Sequence, residues 1–263
     1  MRESMGSLNF GELILLVDSK DRRYLISLED GEEFHSHSGF IRHSDIKDME
    51  EGSYIKASSG KPYLVVRPTM SDVILKMPRS AQIIYPKDIG HILLAADIYP
   101  GVKVLESGIG SGALSTAMLR AGANITGYEL REDFANRATK NVATFCGDNS
   151  LSNYTIHIRD IYEGIDEGSF DRVVLDLPEP WKVVPHLPKA MELGGIVVAY
   201  TPSITQAMKI RDALNPENFV MQDTFEVSVR SWHIEGKAVR PEHRMVAHTG
   251  FITHARFANG NLS

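Results

Sequence analysis

The sequence predicts an α/β chain, a small β domain followed by a larger domain built on a parallel sheet. Two observations carry the prediction. Up to about residue 70, apolar runs of strand length follow one another with no long helical period. From about residue 86, near-continuous apolar runs alternate with helical ones, the pattern of a sheet covered on both faces. The change of pattern places the domains at 1–75 and 76–263.

The elements follow in order. ELILLVD (12–18), RRYLISLE (22–29) and PYLVVRP (62–68) read as strands. Turn-forming groups such as Glu29-Asp30-Gly31 and Ser58-Ser59-Gly60 separate them, which suits a small barrel or meander. Pro86 stands at a good first-turn position and opens an apolar helix. Strands are expected at 102–106, 124–129, 154–160, 170–177 and 195–200. Helices are expected at 113–120, 132–145, about 181–192, and 204–214. The tail segments 219–230 and 245–257 read as two long strands forming an antiparallel C-terminal hairpin at the sheet edge.

Composition excludes several classes. The chain of 263 residues is 43% hydrophobic and 24% charged, which is ordinary globular usage. One cysteine, Cys146, rules out a disulfide framework and a multi-cysteine zinc site, and it reads as a small buried side chain. No apolar run approaches the ~20 residues of a membrane span. The N-terminus lacks a secretory pattern, so no membrane and a reducing cytoplasmic compartment are expected. His35, His37 and His43 share a polar stretch without a carboxylate pattern, and no metal site is expected. The net charge of −6 weighs mildly against a nucleic-acid partner. That charge is uneven: residues 1–80 carry −2, residues 81–229 carry −7, and residues 230–256 carry +3.

The sharpest motif is Glu106-Ser-Gly108-Ile-Gly110-Ser-Gly112, which follows a strand and opens a helix. Glycines there permit a tight turn and close approach of a ligand to backbone. Three readings compete: a plain βα turn, a nicotinamide dehydrogenase, and an S-adenosylmethionine (SAM) site. The dehydrogenase fingerprint is G-x-G-x-x-G with a helix N-terminus facing a pyrophosphate. Here the spacing is G-x-G-x-G, and the acidic Glu106 would repel a pyrophosphate but welcome a cationic sulfonium ligand. The residues favour SAM. Glu129, closing the next strand, can take both hydroxyls of a ribose.

Open α/β sheets bind ligands beyond the C-terminal ends of their strands. Asp160 ends the third of these strands and suits an adenine-edge hydrogen bond. Asp176 ends the fourth, in Asp176-Leu-Pro178-Glu-Pro180-Trp181. The two prolines keep the following chain extended and place Asp176 too far ahead to serve as the next helix's N-cap. Tyr85 precedes the helix that leads into the sheet and Tyr200 ends the fifth strand; aromatic side chains there can line a methyl-transfer pocket or stack a purine.

With these residues in view, the chain closely resembles the tRNA (adenine-N1)-methyltransferases that make 1-methyladenosine at T-loop position 58, in their archaeal and bacterial form. The matching segments lie at 78–88, 104–114, 127–134, 171–183 and 232–251. The glycine loop is common to many methyltransferases. Gln82-Ile-Ile-Tyr85-Pro-Lys-Asp88, the Asp176–Trp181 stretch and Arg240-Pro-Glu-His-Arg244 are more specific together. The resemblance implies a class I, Rossmann-like SAM-dependent methyltransferase fold, with seven strands and an antiparallel last one, and a homotetramer. It implies that Ile84, Ser107, Gly108, Gly110, Ser111, Gly112, Ala113, Glu129, Phe134, Asp160, Ile161 and Asp176 bind SAM, and Glu106 joins them on the charge argument above. It also implies that Asp176, Tyr85 and Tyr200 face the target base. Two departures are Ile109, where the family usually has Thr, and Pro178, where Met or Leu is common.

The expected chemistry is methyl transfer to N1 of adenosine 58, and at 57 as well in some archaeal relatives. N1 carries its own lone pair, so alignment and electrostatics should dominate. Asp176 would accept a hydrogen bond from N6 and stabilise the cation that forms. Arg240 and Arg244 are phosphate candidates for tRNA, with a subunit interface as the rival role for that tail. Rival readings are a SAM enzyme for a small molecule or protein, which gives no reason for the 240–244 run, and a noncatalytic tRNA-binding subunit. The latter predicts a degraded glycine loop and a lost Asp176, whereas both are present.

Overall fold

The computed structural model describes residues 6–78, 82–166 and 168–260, so residues 79–81 of the 78–88 segment lie outside it. It divides into two compact units, Met1–Lys76 and Met77–Ser263.

In the first unit, β1 (Leu13–Asp18), β2 (Arg23–Ser27), β5 (Tyr54–Lys56) and β6 (Pro62–Val66) form an antiparallel sheet in the order β2-β1-β6-β5. A two-stranded ribbon, β3 (Glu33–Ser36) with β4 (Gly39–Arg42), and the short helices α1 (His43–Ile46) and α2 (Met70–Lys76) complete it. Alternation along β6 buries Tyr63 and Val65 against Ile14, Leu16 and Leu28. The histidine cluster is occupied locally. His43 accepts from the Glu29 amide at 3.0 Å, and His37 lies 2.6 Å from Arg22. Among the described residues no group of three or more His, Cys, Asp or Glu could hold a metal.

The second unit begins with α3 (Pro86–Ala95). Then come β7 (Lys103–Ser107), α4 (Ala113–Arg120), β8 (Asn124–Glu129), α5 (Glu132–Cys146) and β9 (Tyr154–Ile158). After them follow β10 (Phe170–Leu175), α6 (Leu187–Ala190), β11 (Met191–Thr201) and α7 (Ile204–Leu214). The tail holds β12 (Phe219–Glu226), β13 (Trp232–Glu235), β14 (Ala238–Pro241) and β15 (Phe251–Phe257). Seven of these strands form one sheet in the order β12-β15-β11-β10-β7-β8-β9. β15 runs antiparallel to both its neighbours, while the ladders from β11 to β9 are parallel. This is the expected seven-stranded sheet with an antiparallel last strand. The central strands are buried on both faces, which explains their unbroken apolar runs.

Two expectations need correction. The helix expected at 181–192 is instead a string of short turns, Pro180–Lys182 and Val184–His186, ending in the single turn of α6. Pro180, Pro185 and Pro188 lack the amide a continuous helix requires. The chain then enters β11 at Met191, earlier than expected, through a register shift against β10. The tail strands are also shorter than their apolar runs. β12 and β15 do pair, but the chain between them leaves the sheet and forms a separate exposed ribbon, β13 with β14. Sequence pattern marks strand character there but not which ladder receives it.

Candidate functional site

Register brings the key strand ends into one row. Ser107 of β7 stands opposite Tyr128 of β8 and Leu175 of β10, and Leu175 stands opposite Ala199 of β11. The Asp176 amide extends the ladder by donating to the Ser107 carbonyl at 2.9 Å. A cavity of about 640 Å³ opens above this row. Ser107, Gly108, Gly110, Glu129, Phe134, Asp160, Ile161 and Asp176 line it. A narrow cleft shares Gly108, Gly110 and Asp176 with the cavity and adds Ile84, Ser111 and Ala113. The residues expected to hold SAM or face the base thus converge, with four exceptions.

The first is Glu106. It does not line either space, because its side chain is buried behind the loop and accepts from Ser115 of α4 at 2.7 Å. Tyr154 in turn donates to Ser115 at 2.9 Å. Burial, more than the neighbouring Asp176 and Glu129 charges, pushes the Glu106 carboxyl up to about 8. From its charge Glu106 is expected to meet a cationic ligand; the structure places it off both walls, where it braces the loop from behind through Ser115. Gly112 is also absent from the walls, since it ends the loop as the residue capping α4. Tyr85 and Tyr200 do not line this cavity either. Tyr85 precedes α3, and its carbonyl accepts the first two helical amides, those of Asp88 and Ile89. Tyr200 is buried, and its hydroxyl points to Asp88 at 3.4 Å. Its phenol is pushed up chiefly by burial, with Asp88 and Asp176 adding to the effect, so Tyr200 lies within electrostatic reach of the site.

The loop shows why glycine is needed. Gly108, Gly110 and Gly112 all have positive φ, at 87°, 57° and 78°. A Cβ on Gly108 would fall 1.9 Å from the Asp176 carbonyl oxygen, so the loop and the Asp176 strand end touch backbone to backbone. Glu129 accepts from the Gly110 amide at 3.3 Å and the Arg131 amide at 3.0 Å, which fixes its carboxylate at the cavity edge. Asp160 is held by the Tyr162 amide at 2.9 Å. Arg131 stacks over Phe134, 3.8 Å from the ring centre.

Asp176 differs from its neighbours. It opens to the cavity, yet no hydrogen bond reaches its carboxylate among the described residues. Desolvation alone pushes that carboxyl up to about 7. An ionised Asp176 therefore faces the cavity with unspent acceptor capacity and gains from any cation or N–H placed there.

Sequence reading missed Gln82, Tyr162, Pro202 and Gln206 on the walls. Pro202 follows the end of β11, where strand-end logic could have found it. Gln206 is brought in by α7, whose start is capped by Ser203, and it donates to the Pro178 carbonyl at 3.0 Å. No local sequence signal marks it.

Arg240 lies on β14 and Arg244 in the loop after it, and both are exposed. Neither meets a carboxylate among the described residues, and Arg240 donates only to the Pro241 carbonyl. Trp232, Ile234 and Val239 on the same ribbon are also more than half exposed.

Comparison with known proteins agrees with this geometry. Residues 63–240 match the family described as "tRNA methyltransferase complex GCD14 subunit", and residues 6–55 match a TrmI-like N-terminal domain. The chain is 38% identical to the tRNA (adenine(57)-N(1)/adenine(58)-N(1))-methyltransferase TrmI of Methanocaldococcus jannaschii, over 92% of this chain and 94% of that one. It is 33% identical to the tRNA (adenine(58)-N(1))-methyltransferase TrmI of Thermus thermophilus, over 92% and 96% of the two chains. Among solved structures, a SAM-dependent O-methyltransferase from Thermotoga maritima superimposes with a TM-score of 0.92 at 30% identity, covering 100% and 98%. The tRNA (m1A58) methyltransferase TrmI of Aquifex aeolicus superimposes at 0.83 with 26% identity, covering 97% and 100%.

Proposed function

The chain belongs to the tRNA (adenine-N1)-methyltransferase family, and from that premise we propose that it transfers a methyl group from SAM to N1 of adenosine 58 in the T loop of tRNA. The observation that carries this reading is Asp176, an acid at the cavity wall that meets no hydrogen-bond donor at its carboxylate among the described residues and is in backbone contact with the glycine loop.

The residues present fit SAM. Side-chain-free backbone at Gly108 leaves room for close approach, and the cavity of about 640 Å³ suits a nucleoside-sized ligand. Glu129 would take the ribose hydroxyls and Asp160 an adenine N–H, with Phe134 and Ile161 as apolar walls. Ile84, Ser111 and Ala113 would hold the part that enters the narrow cleft. Bound SAM supplies a methyl activated by its sulfonium. The protein's own share is alignment and charge. The target base must be turned out of its stack to reach the site. Its N1 attacks with its own lone pair, so no side chain removes a proton first. As the adenine ring becomes cationic, ionised Asp176 accepts from N6 and stabilises the charge. The same bond selects adenine over guanine, which presents an oxygen there.

Arg240 and Arg244 would grip tRNA phosphates. We place the enzyme in the cytoplasm as a homotetramer; among the described residues no helix is long and apolar enough to cross a membrane. The intact glycine loop and Asp176 favour a catalytic chain over a noncatalytic binding subunit. Transfer of labelled methyl onto bulk tRNA, followed by nucleoside analysis, is the test. Label in 1-methyladenosine is the expected result, and mapping shows whether position 57 shares it with 58. Label elsewhere or nowhere rejects the reading, and light scattering of the purified chain reads the tetramer.

A further inference from the structure

The ribbon arm, residues 228–248, leaves the sheet after β12 and returns just before β15. Both of its ends meet the first turn of α3. The Lys87 ammonium donates to the Val227 carbonyl at 2.6 Å and to the Thr249 hydroxyl at 2.6 Å. One cation thus ties together the residue before the arm and the residue after it. Lys87 also donates to Asp88 at 2.8 Å. Asp88 is fully buried, and its other oxygen accepts from the Thr249 hydroxyl at 2.6 Å and from Tyr200 at 3.4 Å. Gly250 completes the contact: a Cβ there would fall 2.4 Å from the Tyr200 ring, so the returning backbone lies flat on that ring. A second tie lies outside. His248 bridges Glu226 at 2.8 Å and the Pro202 carbonyl at 3.0 Å, and Pro202 lines the cavity.

A buried ion pair is a poor source of stability, because apolar side chains of similar volume often do as well. What they cannot do is fix direction. Here every polar atom of the cluster aims a different element at Asp88: a helix turn, the arm's return and the Tyr200 phenol. Nothing in the proposed chemistry uses Lys87, Asp88 or Thr249 directly.

We propose that Lys87, Asp88 and Thr249 are positioning residues that lock the root of the arm to Tyr200, so that one network sets both where the arm grips tRNA and how the base is presented to Asp176. This rests on the function proposed above. The cluster couples a surface that carries the exposed Arg240 and Arg244 to the pocket edge. Loss of the Thr249 hydroxyl leaves Lys87 one acceptor short and frees Asp88 from the arm, while the β-branched shape remains.

Thr249→Val is therefore expected to lower turnover at saturating tRNA by about 10- to 100-fold, the scale of a small misplacement. SAM affinity should stay within about twofold, since no SAM-facing residue is touched, and Thr249→Ser should restore most of the turnover. Tyr200→Phe in the Thr249→Val background should add little, because residues acting through one network are non-additive. Wild-type turnover in Thr249→Val, or fully additive losses in the double variant, overturns the inference. Should Thr249→Val not fold, Tyr200→Phe serves instead, because it keeps the ring and removes the phenol's contacts with Asp88 and Thr249; undiminished turnover then overturns it. Absence of methylation by the wild-type chain would instead reject the proposed function, so the two failures are distinct.

Discussion

At the cavity wall and behind the glycine loop, the Asp176 and Glu106 carboxyls are enclosed and raised above their ordinary range. Along the arm, basic and apolar side chains stand in solvent and meet little of the protein. Glu106 and Asp176 are pushed up to about 8 and about 7, whereas Arg240 and Arg244 find no carboxylate among the described residues. On the proposed function, the acidic charge of −7 over residues 81–229 and the basic +3 over 230–256 follow two different duties. In the proposed function the enclosed Asp176 serves a cationic product, while Glu106 braces the loop behind it. Bases that serve a polyanion belong where phosphates can reach them. A single net charge of −6 averages over both and predicts neither.

The largest effect should come from the pocket side of this contrast. Asp176→Asn is expected to keep SAM binding but to lower single-turnover methyl transfer by about 100-fold or more. The wild-type rate should rise with pH around 7, since the ionised carboxylate is the active form and burial raises its pKa to about that value. In Asp176→Asn that rise should vanish, and a persisting one would assign the titration elsewhere.

Gly108→Ala tests the contact between loop and acid. Its Cβ would meet the Asp176 carbonyl at 1.9 Å, and the residue would keep a positive φ of 87°. Strain of that kind costs on the order of 1–3 kcal/mol. SAM affinity by calorimetry should fall roughly tenfold or more, and turnover with it.

On the arm, Arg240→Ala with Arg244→Ala should weaken tRNA binding by roughly tenfold at moderate salt. The slope of log affinity against log salt should drop by about 2, and turnover at saturating tRNA should hold. An unchanged salt slope would return the arm to the role of a subunit interface.

The smallest effect on activity is expected from Glu106→Gln, whose main readout is stability. The carboxyl is about 8 when folded against 4.5 for the free group. Its neutral form favours the folded state, so its contribution is complete below about pH 4.5 and is lost progressively as pH rises to about 8. Glu106→Gln should therefore melt several degrees higher than wild type near pH 8 and match it at low pH. Equal melting at both would show that Glu106 is ionised in place.

Local chemistry made much of the pocket legible. Glycines at alternate positions, and acids at the ends of strands, are fixed by a turn and by strand-end geometry within a few residues. The α4 and β8 limits, Ala113–Arg120 and Asn124–Glu129, coincide with their apolar patterns for the same reason. What escaped reading depends on contacts distant in sequence. Whether Glu106 faced the ligand or Ser115 turned on how α4 packs over β7, which no spacing reveals. The network at Asp88 joins residues 87, 200, 227 and 249, and no periodicity links them. In the 181–192 stretch apolar content overrode the proline signal, although the prolines were visible.

The position of β15 has a consequence for synthesis. Among the described residues β12 has no sheet neighbour except β15, and β11 presents its outer edge to β15 alone. As the chain emerges, β12 appears with no ladder to join, and it waits through the whole arm for a partner. Five parallel strands can assemble early, but the sheet closes only when residues 251–257 arrive. The same arrival seats Thr249 on Lys87 and Gly250 on Tyr200. Closure of the sheet and the packing of Thr249 and Gly250 beside Tyr200 are thus a single late event, and an unfinished chain would carry the glycine loop without them.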